Sequence, residues 1–414
     1  MVRDSTAPYA AWLLVVAQFV SVIGTAATVV ALPWLVIDSG RGISSAGLVM
    51  AAEVVPLIVL GPSVARVLGR RLSAVSIMIW CDLVCGALIM TVPWIAPDRS
   101  GSLVPLIVVV AACATLASPW FVAQRAVIAG VTSCPVSAMV INSRLHAAGQ
   151  AGNVAGPILA GGVVALAGPT SVLLLNGATF WIAGILALAV AIIGTGAADI
   201  QLQRSSGRLR DVLSHPARGA IGTVMVQDGV LAVVCITAST SMGMQSGDGA
   251  LTTAVTATAL GVGAVIAALA TPALLRAVSM CSLYRWSSAV ALVPLWVLVV
   301  GEPGLVRLAV VGVVVGAMSG IVAASCMTVI TELSREDAVG SDLFSWTMSA
   351  CQASMAVGIV ASGVLASMSG PTMVIGVAAG IGTLAGLGHL LRLRTPIPVQ
   401  LSPEIEVELH QNAA

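Results

Sequence analysis

Lysine is missing altogether: all eighteen basic residues are arginine. A Walker A loop needs a lysine on its phosphates, and a retinal or pyridoxal Schiff base needs a lysine amine, so the absence speaks against an ATP-driven pump in one chain and against a rhodopsin. Charge of either sign is scarce. Charged residues make up 8% of the 414 positions, where soluble domains carry about 25%. Hydrophobic residues make up 58%, and the mean hydropathy is +1.05. Such a chain cannot cover itself with a water-seeking surface, and it is too long and too apolar for one soluble core. A net charge of +1 gives no basic field for nucleic acid. There is no CxxC and no Cys/His metal spacing. The eight cysteines (Cys81, Cys85, Cys113, Cys134, Cys235, Cys281, Cys326, Cys351) fall mostly inside apolar stretches and read as small apolar residues, not metal ligands. No HExxH, GxSxG or paired histidine–acid cluster is present, which argues against a membrane-embedded enzyme and against a cofactor.

What the chain has instead is long apolar runs. A transmembrane helix needs about 20 apolar residues, and that rule predicts spans near 11–37, 46–67, 73–96, 103–123, 138–166, 171–195, 220–243, 249–275, 283–301, 305–330, 343–367 and 371–391. The expected fold class is an all-α membrane protein of twelve transmembrane helices in two six-helix halves, 1–195 and 220–392. A basic cytoplasmic linker at 196–219 joins them, and a solvated tail at 393–414 follows. The first apolar run, 10–37, far exceeds a signal-peptide core of about 7–15 residues and reads as a retained span. With the N-terminus inside, Arg41, Arg99 and Arg307 alone face outward, and the rest of the eighteen arginines lie inside. That bias predicts cytoplasmic termini. Trp12, Trp34, Trp94, Trp286 and Trp346 lie near span ends, as interfacial anchors do.

The chain repeats itself. Residues 150–170 (QAGNVAGPILAGGVVALAGPT) align without a gap on 352–372 (QASMAVGIVASGVLASMSGPT), in the fifth and eleventh spans. An even number of helices per half makes this a parallel repeat, the architecture of alternating access around a central cavity.

Charges inside spans carry the mechanistic expectation, because a charged side chain in hydrocarbon costs at least about 2.5–3.5 kcal/mol. Glu53, Asp82 and Asp228 lie in the second, third and seventh spans with no arginine near mid-span to neutralise them. Each needs either a water-filled cavity or a bound proton. A group of that kind can exchange protons across a membrane or bind substrate; the other readings are a structural hydrogen bond and a misplaced span boundary, around Asp228 above all. Gln18, Gln150, Asn153, Asn176, Gln227 and Gln352 are candidates to line the same cavity, and the repeat pairs Gln150 with Gln352. His389 reads as interfacial, and Arg144 and His146 open the fifth span from the cytoplasm.

Several stretches carry a resemblance. Leu32-Pro-Trp-Leu-Val36 closes the first span, Asp82 is an acidic residue in the third, and Ala138 through Gly162 enters the fifth. Within it, Gly149, Gly152, Gly156, Pro157, Gly161 and Gly162 set out a GPxxxGG pattern similar to an antiporter motif usually written GPxxGG. With these features the chain resembles, over nearly its whole length, the major facilitator superfamily in its twelve-span drug and macrolide exporter type. The resemblance implies a glycine-lined helix that packs closely and bends at proline. It also implies an inner gate between spans two and three, where Gly61, Arg70 and Arg71 remain but the usual aspartate is absent. The expected function is efflux of a small amphipathic molecule, a drug or natural product, driven by inward proton flow. Its partners would be that substrate, protons and the bilayer of a bacterial cytoplasmic membrane, with the chain a monomer. Export of a siderophore or other polar metabolite, import, and a degenerate facilitator acting as sensor or scaffold stay open.

Overall fold

The computed structural model describes residues 3–39, 43–95, 102–132, 135–193, 200, 218–246, 249–300, 304–336 and 339–392. The long apolar runs form helices, since in hydrocarbon every backbone N–H and C=O must be bonded within the segment. In order they are α1 (Arg3–Asp38), α2 (Ile43–Val59), α3 (Gly61–Gly69), α4 (Ala74–Met90), α5 (Val92–Ile95), α6 (Val104–Val131), α7 (Pro135–Ala167), α8 (Pro169–Ile192), α9 (Arg218–Ser246), α10 (Gly249–Ala277), α11 (Met280–Val290), a 3-10 turn (Val293–Leu298), α12 (Leu305–Glu336), α13 (Val339–Ser369) and α14 (Pro371–Arg392). Taking α2–α3, α4–α5 and α11 with its 3-10 turn as broken rods, the described residues make twelve rods in sequence. Six of these helices are long and apolar enough on their own to cross a bilayer: segments of α1, α6, α7, α8, α10 and α12. Large apolar side chains such as Leu166, Leu269 and Met368 stand exposed, as a lipid solvent requires and water would penalise. The chain is a multi-pass membrane protein. The linker arginines Arg204, Arg208 and Arg210, the outer-loop Arg41 and Arg99, and the tail from 393 lie outside the described residues.

One expectation changes here. The sequence suggests a gate loop over Gly61–Arg71, but Gly61 to Gly69 is helical and meets the end of α2 at a 52° bend. Pro62 sits in the first turn of α3, where its missing N–H has no helical partner to lose. Gly61 lets α3 lie directly on α6, since a Cβ there would stand 2.6 Å from the Ser118 Cβ. Only the turn after Gly69 is left as loop, and Arg70 and Arg71 are exposed on it.

Packing divides the chain into two compact units. One holds residues 1–131, 151–209 and 334–349, the other 132–150, 210–333 and 350–414. In the first, α1 runs along α8, α4 packs on α8 and α6, and α2 packs on α6. Leu32, Val36, Val49, Val92, Leu106 and Leu173 form its main apolar cluster. In the second, α9 runs along α14 and α10, and α11 with its 3-10 turn packs on α14. Met139, Ala267 and Ile321 pack together there. In both units the first rod therefore pairs with the sixth, and the third rod with the sixth.

The repeat is visible atom by atom within each unit. Gly152 and Gly156 of α7 lie on Val22, Ile23, Ala26 and Ala27 of α1. The positions 202 residues on are Ser354 and Gly358 of α13. Ser354 Oγ donates to the Met225 carbonyl of α9 at 2.7 Å, and Gly358 lies on Gly229 and Val233. Close approach through small residues is what holds helices together where lipid removes the hydrophobic drive. Ser73 caps α4 by accepting from Ser76 N–H, and Ser279 caps α11 by accepting from Ser282 N–H, each at 3.3 Å. Gly168 and Gly370 both sit at φ +79°, each followed by the proline that opens the next helix. Left-handed backbone disfavours any residue with a Cβ by about 1–2 kcal/mol. Gly168→Ala and Gly370→Ala should each lower the thermal unfolding midpoint in detergent, whereas Gly222→Ala, at an open helical position, should not.

Candidate functional site

In the first unit three of the polar candidates, Asp82, Gln18 and Asn176, are held by hydrogen bonds to neighbouring side chains. Asp82 of α4 is 2% exposed, and Trp120 Nε1 of α6 donates to its Oδ2 at 2.9 Å. A Cβ at Gly184 of α8 would stand 3.3 Å from the Asp82 Cβ, so the glycine leaves room for the acid. Gln18 of α1 is buried and accepts from Gln124 Nε2 of α6 at 2.9 Å. Asn176 of α8 is buried beside Gly24 of α1, and Thr179 Oγ1 donates to its backbone carbonyl at 2.8 Å. The first two are bonds between packed helices, and the third is a bond within α8. Asp82→Ala should leave the Trp120 N–H unpaired and cost about 1–3 kcal/mol, read as a lower thermal midpoint. Asp82→Asn keeps an acceptor and should cost clearly less. Glu53 of α2 is half-buried, and its shielded Oε2 has no hydrogen-bond partner among the described residues. Asn153 and Pro157 are exposed, and Gly161 and Gly162 have open space where a Cβ would stand.

The second unit contains a cavity of about 70 Å³. Its polar walls are His146 and Gln150 of α7, Gln227 and Asp228 of α9, and Ser319 of α12. Leu260 and Ala264 of α10 help close it with apolar surface. His146 and Gln150 are four residues apart, so one helical face presents both. The His146 ring lies near Gly320 of α12, where a Cβ would stand 3.4 Å from its Cδ2. The Asp228 carboxyl is also within hydrogen-bond reach of the Cys351 thiol of α13. Near the cavity Asn142 Nδ2 of α7 donates to Thr328 Oγ1 of α12 at 3.1 Å, tying these two helices. Ser319 Oγ is shut off from solvent and has no partner among the described residues.

Of the sequence candidates, then, Gln150, Gln227 and Asp228 meet at one cavity. Glu53, Asp82, Gln18 and Asn176 do not, and Gln352 is half-buried on α13 outside its lining. Of the polar lining residues, Ser319 escaped the sequence, and His146 was read there only as opening the fifth span. The four-residue spacing of His146 and Gln150 was the available signal, whereas Ser319 is one of many small polar residues in apolar helices.

The arrangement can hold and exchange a small positive charge. An isolated carboxylate in this environment is costly, and the neighbouring imidazole, amides and hydroxyl supply donors and acceptors to a proton or its water carrier.

No family model matches this sequence, and no curated protein does. Solved structures do match. A crystal structure of a bacterial homologue of the iron transporter ferroportin, outward-facing, superposes with TM-score 0.70 at 17% identity, covering 92% of this chain and 98% of that one. The human organic anion transporter MFSD10 (TETRAN) gives 0.69 at 13%, covering 92% and 99%. The E. coli fucose:proton symporter FucP gives 0.66 at 11%, covering 93% and 99%. At such identities the likeness is one of fold, and it extends over nearly the full length of each partner. The chain has the major facilitator fold.

Proposed function

We propose that this chain, a major facilitator fold in a bilayer, is a secondary active transporter of the drug-exporter type. It moves a small amphipathic molecule outward in exchange for protons by alternating access, as a monomer in a bacterial cytoplasmic membrane with both termini inside. One observation carries the coupling half of this reading: Asp228 opens onto a cavity it shares with His146, Gln150, Gln227 and Ser319. A carboxyl group so placed can be loaded and unloaded with a proton as access changes. The fold likeness to three transporters, one of them a fucose:proton symporter, supports the transport half. The cavity is far below the roughly 300–1,000 Å³ of a drug-sized site, which suits the driving ion better than the cargo.

The test is purified protein in liposomes under an imposed pH gradient, with a broad panel of amphipathic compounds. Gradient-dependent flux of any one supports the reading, and none across the panel removes it. A sensor or scaffold is the second reading, favoured by the missing aspartate between Gly61 and Arg71. The same assay separates the two.

A further inference from the structure

The walls of the second-unit cavity describe their occupant. Four of the lining residues can offer oxygen, Asp228 by its carboxylate, Gln150 and Gln227 by their amides and Ser319 by its hydroxyl, and α7, α9 and α12 bring them together. His146 adds an imidazole nitrogen, and no arginine lines the space. Ser319, 9% exposed, is one of its lining residues, and its shielded hydroxyl has no partner among the described residues. A buried polar atom without a partner is costly and rare in native structures, and an occupant of the cavity would satisfy it. About 70 Å³ accommodates an ion with a water or two, not an organic molecule.

Charge then selects the ion. Hard cations take oxygen ligands. One carboxylate among neutral groups balances one positive charge, whereas a divalent ion would leave a net charge inside the helix bundle, where charge is expensive.

We propose that this cavity is a binding site for a compact monovalent inorganic cation, Na⁺, held by Asp228, Gln150, Gln227 and Ser319. The inference rests on the reading of Asp228 as the ion-coupling carboxyl and extends it. A proton and Na⁺ each neutralise Asp228, so they exclude one another there. The titratable groups facing the ion are Asp228 of α9 and His146 of α7, with the Cys351 thiol of α13 beside Asp228. The lining residues of α10 and α12 contribute none.

The experiment is equilibrium binding of radioactive sodium to the full-length protein in detergent, with size-exclusion elution as the check on folding. Saturable binding is expected, displaced by unlabelled Na⁺ and by acid. Asp228→Asn should abolish it, and Ser319→Ala should weaken it by about tenfold. Absence of saturable binding to folded wild type overturns the inference, and so does binding that survives both substitutions together. Proton-driven flux without sodium binding would end the Na⁺ assignment and leave the transport reading intact. Sodium binding at Asp228 without flux of any compound would do the reverse.

Discussion

Asp228→Asn should bring pH-gradient-driven transport in proteoliposomes down to the level of protein-free vesicles, while elution and thermal midpoint should stay close to wild type. The amide has the shape of the acid but cannot take up or release a proton, so the substitution removes the chemistry and leaves the packing. Its surroundings, Gln150, Gln227, His146, Ser319 and the Cys351 thiol, are polar and can hydrogen-bond an amide. Asp82 makes the contrast. It is locked to Trp120 between α4 and α6, so Asp82→Asn should retain most of the flux. Glu53→Gln is the intermediate case, a half-buried acid with one shielded oxygen unpartnered among the described residues. The measurement is initial flux against gradient size for each variant. If neutralising all three carboxyls together leaves that flux unchanged, protons do not drive this protein through its buried acids.

The second large effect falls on glycines that no motif marks. Gly263 of α10 is so close to α12 that an added Cβ would run into the Val313 carbonyl and the Ala317 backbone nitrogen. Gly316 of α12 meets the backbone of Leu260 in the same way. Backbone cannot swing aside as a flexible side chain can, so a larger residue must push the helices apart. Overpacking costs about 1–3 kcal/mol where side chains absorb it, and here the interface itself must open. Gly263→Val should therefore lower the thermal midpoint more than any other single change considered above. It should also deform the cavity, because Leu260, Ala264 and Gly316 belong to its walls. Gly161→Ala and Gly162→Ala, within the recognisable GPxxxGG pattern, meet nothing within 4 Å. They should change stability by no more than about 0.5 kcal/mol and gain slightly in helix propensity.

That contrast marks how far the sequence reaches. The rods were legible because an apolar run sustained over about 20 residues has the length of a bilayer core and far exceeds an ordinary buried strand. The repeat was legible because Gly168-Pro169-Thr170 and Gly370-Pro371-Thr372 do the same backbone work, a left-handed turn followed by a proline start. Asp228 stood out as a charge inside a span. What the residues alone could not reveal is partnership. Asp82, Gln18 and Asn176 look like cavity polar groups until Trp120, Gln124 and Thr179 are found bonded to them. In a chain with 42 glycines, spacing cannot distinguish Gly263, pressed on a neighbouring backbone, from Gly162, which touches nothing.

The repeat and the packing units do not share their boundaries. The opening turns of α7, up to Gln150, belong with the second unit, and those of α13, up to Ser349, with the first. Cutting the chain in its linker would thus not yield two self-sufficient folding pieces, because each fragment would carry the start of one helix that completes the other's core.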